Sequence, residues 1–158
     1  MEQLHLSYLK LLGELSSSLD RLAQLAQEKA AAVQADDLIA LDEVLKQEQA
    51  MTLNLRGLEL KRLKLVGQLG LDKVPLDELE GHCPPELAGK ARETVDALRS
   101  SYTIYRSCAD MARSLVELNL HQIEKVITAA GVDPVVAASG YEAPGVEPPK
   151  QMKTDFRA

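Results

Sequence analysis

The residues best suited to chemistry in this 158-residue chain are its three histidines and two cysteines, set among scattered carboxylates. His121 and Glu124 stand three apart, the spacing of one half of a carboxylate–histidine di-iron set. Such a set needs Glu-x-x-His twice and two further carboxylates from facing helices. No second copy occurs in the sequence, so the pair reads as solvated helix surface. His82-Cys83 is a loop dipeptide, and Cys83 and Cys108 form neither a Cys-x-x-Cys nor a zinc spacing. Cys108 reads as a small buried hydrophobe. Cys83 lies in a Pro-rich connection without a neighbour to lower its pKa. A glycine-rich phosphate loop, a dinucleotide fingerprint and a nucleophile elbow are all missing. These residues predict no catalysis, no bound metal and no cofactor.

The remaining polar residues are read structurally. Arg56, Lys61, Arg62 and Lys64 crowd the end of a helix, where cations suit the negative end of its dipole. Tyr102 and Tyr105 read as core rings. Asn119 is the one polar residue in a long apolar row, placed to fix register or to lie open in an unfilled groove.

Those residues need elements to hold them, and composition points to helices. The chain has no Trp, one Phe and four Tyr, and is rich in Leu and Ala. Its net charge is −6, with both signs mixed along the sequence. A mildly acidic chain without a basic stripe or base-stacking aromatics argues against nucleic acid. The N-terminal residues lack the pattern of a signal peptide, and no apolar run is long enough to span a bilayer. The expectation is a cytoplasmic protein without membrane insertion.

Apolar periodicity predicts an all-α fold, an elongated antiparallel bundle or coiled coil of three long helices. It places them at about 3–35, 37–69 and 85–131, with a short helix in the connection. The first follows Tyr8, Leu12, Leu15, Leu19, Leu22, Ala26, Ala30 and Val33, a stripe that Leu9, Leu11 and Leu25 widen toward two neighbours. Asp36-Asp37 breaks the chain and offers a cap to the second helix, which Gly70 ends. Pro75 can open a short turn closed by Gly81, and Pro84-Pro85 resets the chain. In the third helix a heptad reading gives one row of Ala91, Leu98, Tyr105, Ala112, Asn119 and Val126. A second row, four residues on, holds Val95, Tyr102, Ala109, Val116, Ile123 and Ala130.

Residues 1–131 thus form the bundle domain, and 132–158 an extended or disordered tail rich in Pro and Gly. The third helix is longer than its partners, so its last apolar residues need another cover: a client helix, a second subunit or the tail. A shifted or bent third helix is the alternative. The residues concerned are Val116, Leu118, Asn119, Leu120, Ile123, Val126, Ile127 and Ala130, with Tyr141 and Phe156 as anchors in the tail.

Asp36-Asp37-Leu38-Ile39-Ala40-Leu41, then Leu58-Glu59-Leu60-Lys61-Arg62, then Gln68-Leu69-Gly70 stand in chain order, with Leu118-Asn119-Leu120 in the last helix. In these features the chain resembles the FlgN-type flagellar export chaperones over roughly residues 4–131. The resemblance implies a cytoplasmic chaperone of hook-associated proteins, which keeps them unassembled and delivers them to the flagellar type III export gate. It places client binding in the C-terminal part. A structural coiled-coil or adaptor protein that self-associates through the third helix is the alternative reading.

Overall fold

The structure, a computed structural model, describes residues 1–131. Their regular structure is helical throughout: α1 (Glu2–Gln34), α2 (Leu38–Leu69), a 3₁₀ turn (Leu76–Glu78), α3 (Leu79–His82) and α4 (Pro85–Ala129). The chain divides into two compact units, Met1–Asn119 and Leu120–Ala158.

In the first unit α1 is the central helix. It buries fifteen residues, against four on α2 and five on α4, because both neighbours pack on it. All eight residues of the expected α1 stripe are buried, and so are Leu9, Leu11 and Leu25. Each fully buried Leu contributes about 1.5–3 kcal/mol over exposure, and Leu12 and Leu25 are sealed at 0% exposure.

The corner between α1 and α2 uses two aspartates for two tasks. Asp36 takes the left-handed conformation (φ 52°). The Asp37 and Asp36 N–H groups then donate to the carbonyls of Ala32 and Val33, at 3.0 and 3.2 Å, which closes α1. Asp37 is extended, and its Oδ1 accepts the Ala40 N–H at 3.0 Å, which opens α2. Gly70 (φ 68°) ends α2 in the same manner, with the Leu71 N–H donating to Val66 at 3.0 Å. Gly131 (φ 77°) follows α4 in the left-handed conformation, its N–H donating to the Thr128 carbonyl at 3.0 Å. Gly81 lies inside α3 and does not close it; the extended Cys83 before Pro84 does.

Side-chain pairs fix the directions in this unit. Ser18 meets Asn54 at 3.2 Å, Arg21 meets Gln47 at 2.6 Å, and Lys29 meets Glu48 at 2.8 Å. Ser18 thus meets a later part of α2 than Arg21 and Lys29 do, and the three-residue corner joins the end of α1 to the start of α2, so the two are antiparallel. His5 lies with Nε2 3.2 Å from the His82 carbonyl, Leu12 clusters with Ala91, and Ala26 and Ala30 cluster with Ala112. The first-unit part of α4 therefore runs in the direction of α1.

The all-α class is as the sequence predicts. The predicted layout holds in part: in the second expected row of α4 Val95 is buried and Ala109 and Val116 are half-buried, but Tyr102 is exposed. Ala91 and Ala112 are buried, and Leu98 and Tyr105 are half-buried. From Leu98 onward the residues three further on are also covered: Ser101 is buried, and Cys108 and Leu115 pack on Ala26, Ala30 and Ala112. Tyr102 is 52% exposed, which corrects its reading as a core ring. The cause is spacing between helices. Tyr102 stands at an open groove that α2 does not fill, one turn and more beyond the buried Val95.

Candidate functional site

Each unit exposes apolar surface on α4. In the first, Val116 and Asn119 are half-buried and Leu118 is 53% exposed. In the second, Leu120 and Ile123 are about half exposed, Val126 is 69% exposed, and Ile127 is half-buried. Ala130 is exposed, one residue past the helix.

At 100° per residue these positions do not form one stripe. Within the second unit, Leu120, Ile123 and Ile127 follow at three and four residues and share a face. Val126 stands about 60° to one side of Ile123. Leu118 belongs to a different row, with Ile104 (52% exposed) and Met111 (60% exposed) at intervals of seven. Asn119 is neither sealed in a core nor free. Tyr141 and Phe156 lie outside the described residues.

The sequence reading missed a second apolar surface, contained within the first unit. Leu15 and Leu19 of α1, Leu55 and Leu60 of α2, and Val95, Leu98 and Tyr102 of α4 line an open groove of about 810 Å³. That size falls within the range of ligand pockets, and an apolar trough between helices is also the usual bed of an amphipathic helix. Charged groups rim it in pairs. Arg62 holds Glu59 through two hydrogen bonds, 2.8 and 2.7 Å, and Arg99 pairs with Asp77. Arg56 lines the same groove and has no ion-pair partner among the described residues. The one signal for this groove in the sequence was Tyr102 in a row of otherwise smaller residues.

Arg62 is thus engaged at the groove and is not a dipole partner at the end of α2. Its Glu59 hydrogen bonds raise its already high pKa, against the opposing effect of burial. Burial pushes the hydroxyl of neighbouring Tyr8 up, although the Arg62 guanidinium pulls the other way. Burial also raises the Cys83 thiol, which suits a half-buried packing residue rather than a nucleophile. His121 and Glu124 are both exposed on α4. No cluster of three His, Cys, Asp or Glu side chains able to hold a metal exists among the described residues. No helix among them is long and apolar enough to cross a membrane.

Among the described residues the regular structure is all helical, and its open apolar groove and helix faces have the form that amphipathic helices dock on. The family profile described as FlgN protein matches residues 6–149, nearly the whole chain. The chain belongs to the FlgN family, whose general role is that of a chaperone in flagellar protein export. No curated protein and no solved structure matches it.

Proposed function

We propose that this protein is a cytoplasmic, non-enzymatic chaperone of hook-associated flagellar proteins. It holds a client unassembled by covering one of the client's amphipathic helices, and it brings the client to components of the type III export gate. The observation that carries the reading is the face of Leu120, Ile123 and Ile127 on α4, apolar and only partly covered. A client helix laid on this face removes apolar area from water on both partners. The same chemistry would otherwise drive the client's own assembly contacts. The elongated three-helix bundle is the scaffold this reading assumes, with the tail after Gly131 as the cover of the face when no client is present.

The groove between Leu55, Leu60 and Tyr102 supports a second place for client contact, since it is open and lined mainly by apolar side chains. Co-purification with hook-associated proteins tests the function. Capture lost in a Leu120→Lys, Ile123→Lys variant and kept in Tyr102→Glu assigns the client to the end of α4. The opposite pattern assigns it to the groove. Capture of no hook-associated protein by the unaltered chain rejects the chaperone reading in favour of a self-associating adaptor.

A further inference from the structure

The charges around the groove of the first unit do not cancel. Three arginines and two carboxylates are among its lining residues. Arg62 holds Glu59 by both carboxylate oxygens, and Arg99 holds Asp77. Arg56, exposed on the α2 wall, is the charge left over. This local positive surplus stands in a chain whose net charge is −6. Past the Arg99–Asp77 pair the groove continues into a polar hollow that shares Leu76 and Val95 with it. The lining there adds Glu80 and Asp96 against one guanidinium, Arg92, so the surplus turns negative.

The bed itself is apolar and short. Leu15 and Leu19 of α1 are buried beneath it, with Leu55 and Leu60 on the α2 side and Leu98 on the α4 side. Its lining on α2, from Thr52 to Arg62, spans about 15 Å, and on α4, from Val95 to Tyr102, about 10 Å. Two to three turns of helix match that length. A helix also pairs its own backbone N–H and C=O groups, which an extended segment laid on leucines would leave unsatisfied.

We propose that the groove takes an amphipathic helix of another polypeptide that carries a single carboxylate beside its apolar stripe, and that this carboxylate pairs with Arg56. Apolar residues at i, i+3, i+4 and i+7 of the docked helix cover the leucines of the bed. The carboxylate accepts a charge-assisted hydrogen bond from the one guanidinium that no acid of this chain already holds. A lysine at that place meets like charge instead. The end of the helix nearest Glu80 and Asp96 carries no acid. The inference rests on the chaperone reading for the source of the helix, a client, and adds which of a client's helices fit.

Two synthetic helical peptides of about 14 residues test this against the full chain. They share one leucine stripe and differ at a single flanking position in mid-stripe, Glu in one and Lys in the other. Calorimetry in about 0.15 M salt, where charges beyond about 8 Å are screened, should show the Glu peptide binding roughly 2- to 30-fold tighter. The net charge of −6 on its own favours the Lys peptide, so the expected order runs against the charge of the whole chain. Arg56→Gln should erase the preference and Arg56→Glu should reverse it. Leu120→Lys with Ile123→Lys should leave it unchanged. Equal affinities, tighter binding of the Lys peptide, no binding of either, or a preference that survives Arg56→Glu each overturns the proposal. So does a second copy of the chain in the groove, seen in light scattering as a mass above 17.3 kDa that Arg56→Glu lowers. The two readings fail separately. A Glu preference without capture of any hook-associated protein keeps the groove and rejects the chaperone function, whereas capture without the preference does the reverse.

Discussion

Replacing Leu120 and Ile123 together by lysine separates a binding face from a core face. Both are about half exposed, so roughly half of the 1.5–3 kcal/mol for burying each side chain is already gained in the fold. A lysine stem retains part of that contact by lying along the surface. A lysine at position 120 would stand four residues before Glu124. Such a pair is worth about 0.2–0.5 kcal/mol, and repulsion between the two new lysines offsets it. The net cost to folding is about 1–2 kcal/mol. Circular dichroism should show unchanged helix content and a melting temperature lowered by only a few degrees. A client that buries the exposed halves loses about 1 kcal/mol per site and must also desolvate two ammonium groups. The expected loss is about 2–4 kcal/mol, or roughly 30- to 1,000-fold in Kd by calorimetry. Collapse of the helix signal would place the two residues in a core. Unaltered client affinity in a folded variant would remove this face from the binding site.

Three further outcomes follow from the described geometry. Leu12→Ala, at a position with 0% exposure, should cost about 2–5 kcal/mol in denaturant unfolding, whereas Leu53→Ala, 67% exposed, should change the monomer's stability by under ~1 kcal/mol. At the corner, Asp37→Ala should cost about 1 kcal/mol by removing the cap on Ala40, while Asp36→Gly should be neutral or stabilising by up to ~1 kcal/mol because its φ is positive; thermal melts of the two variants should move apart. Burial keeps the Tyr8 phenol neutral beyond its ordinary value of 10.0, so the stability tied to the neutral ring is whole below that pH and is lost as pH rises through the folded value. Absorbance titration should show one late tyrosine that is absent from Tyr8→Phe, and four tyrosines titrating together would contradict it.

What was legible in the sequence depended on how many neighbours an element has. The α1 stripe read correctly at every position because a helix packed on two sides must keep a wide apolar arc. Gly70 and Asp37 were legible because capping is local chemistry that needs only a few residues of context. Tyr102 in the second row of α4 was misassigned for the opposite reason. Tyr102 and Ser101 differ by one position, and hydrophobicity favours the tyrosine, yet the gap between α2 and α4 leaves the tyrosine in the groove and the serine against the core. The candidate binding face at Leu120, Ile123 and Ile127 was anticipated as residues but not as a face, because Leu118 and Val126 were counted with it.

The central position of α1 also bears on the order of events during synthesis. The ribosome releases this most apolar-faced helix before its partners, and its stripe waits uncovered until α2 has emerged behind it. Pairing of α1 with α2 is local in sequence and closes through a three-residue corner, so it forms early; α4 must close a far longer loop to reach the same stripe. We therefore expect the α1–α2 hairpin to be a separate, slower-exchanging cooperative unit, with α4 the last element on and the first off. Hydrogen exchange with all three helices protected to the same degree would show that expectation to be wrong. Under the proposed chaperone function, a helix that detaches without dissolving the hairpin would release a bound client while the rest stays folded.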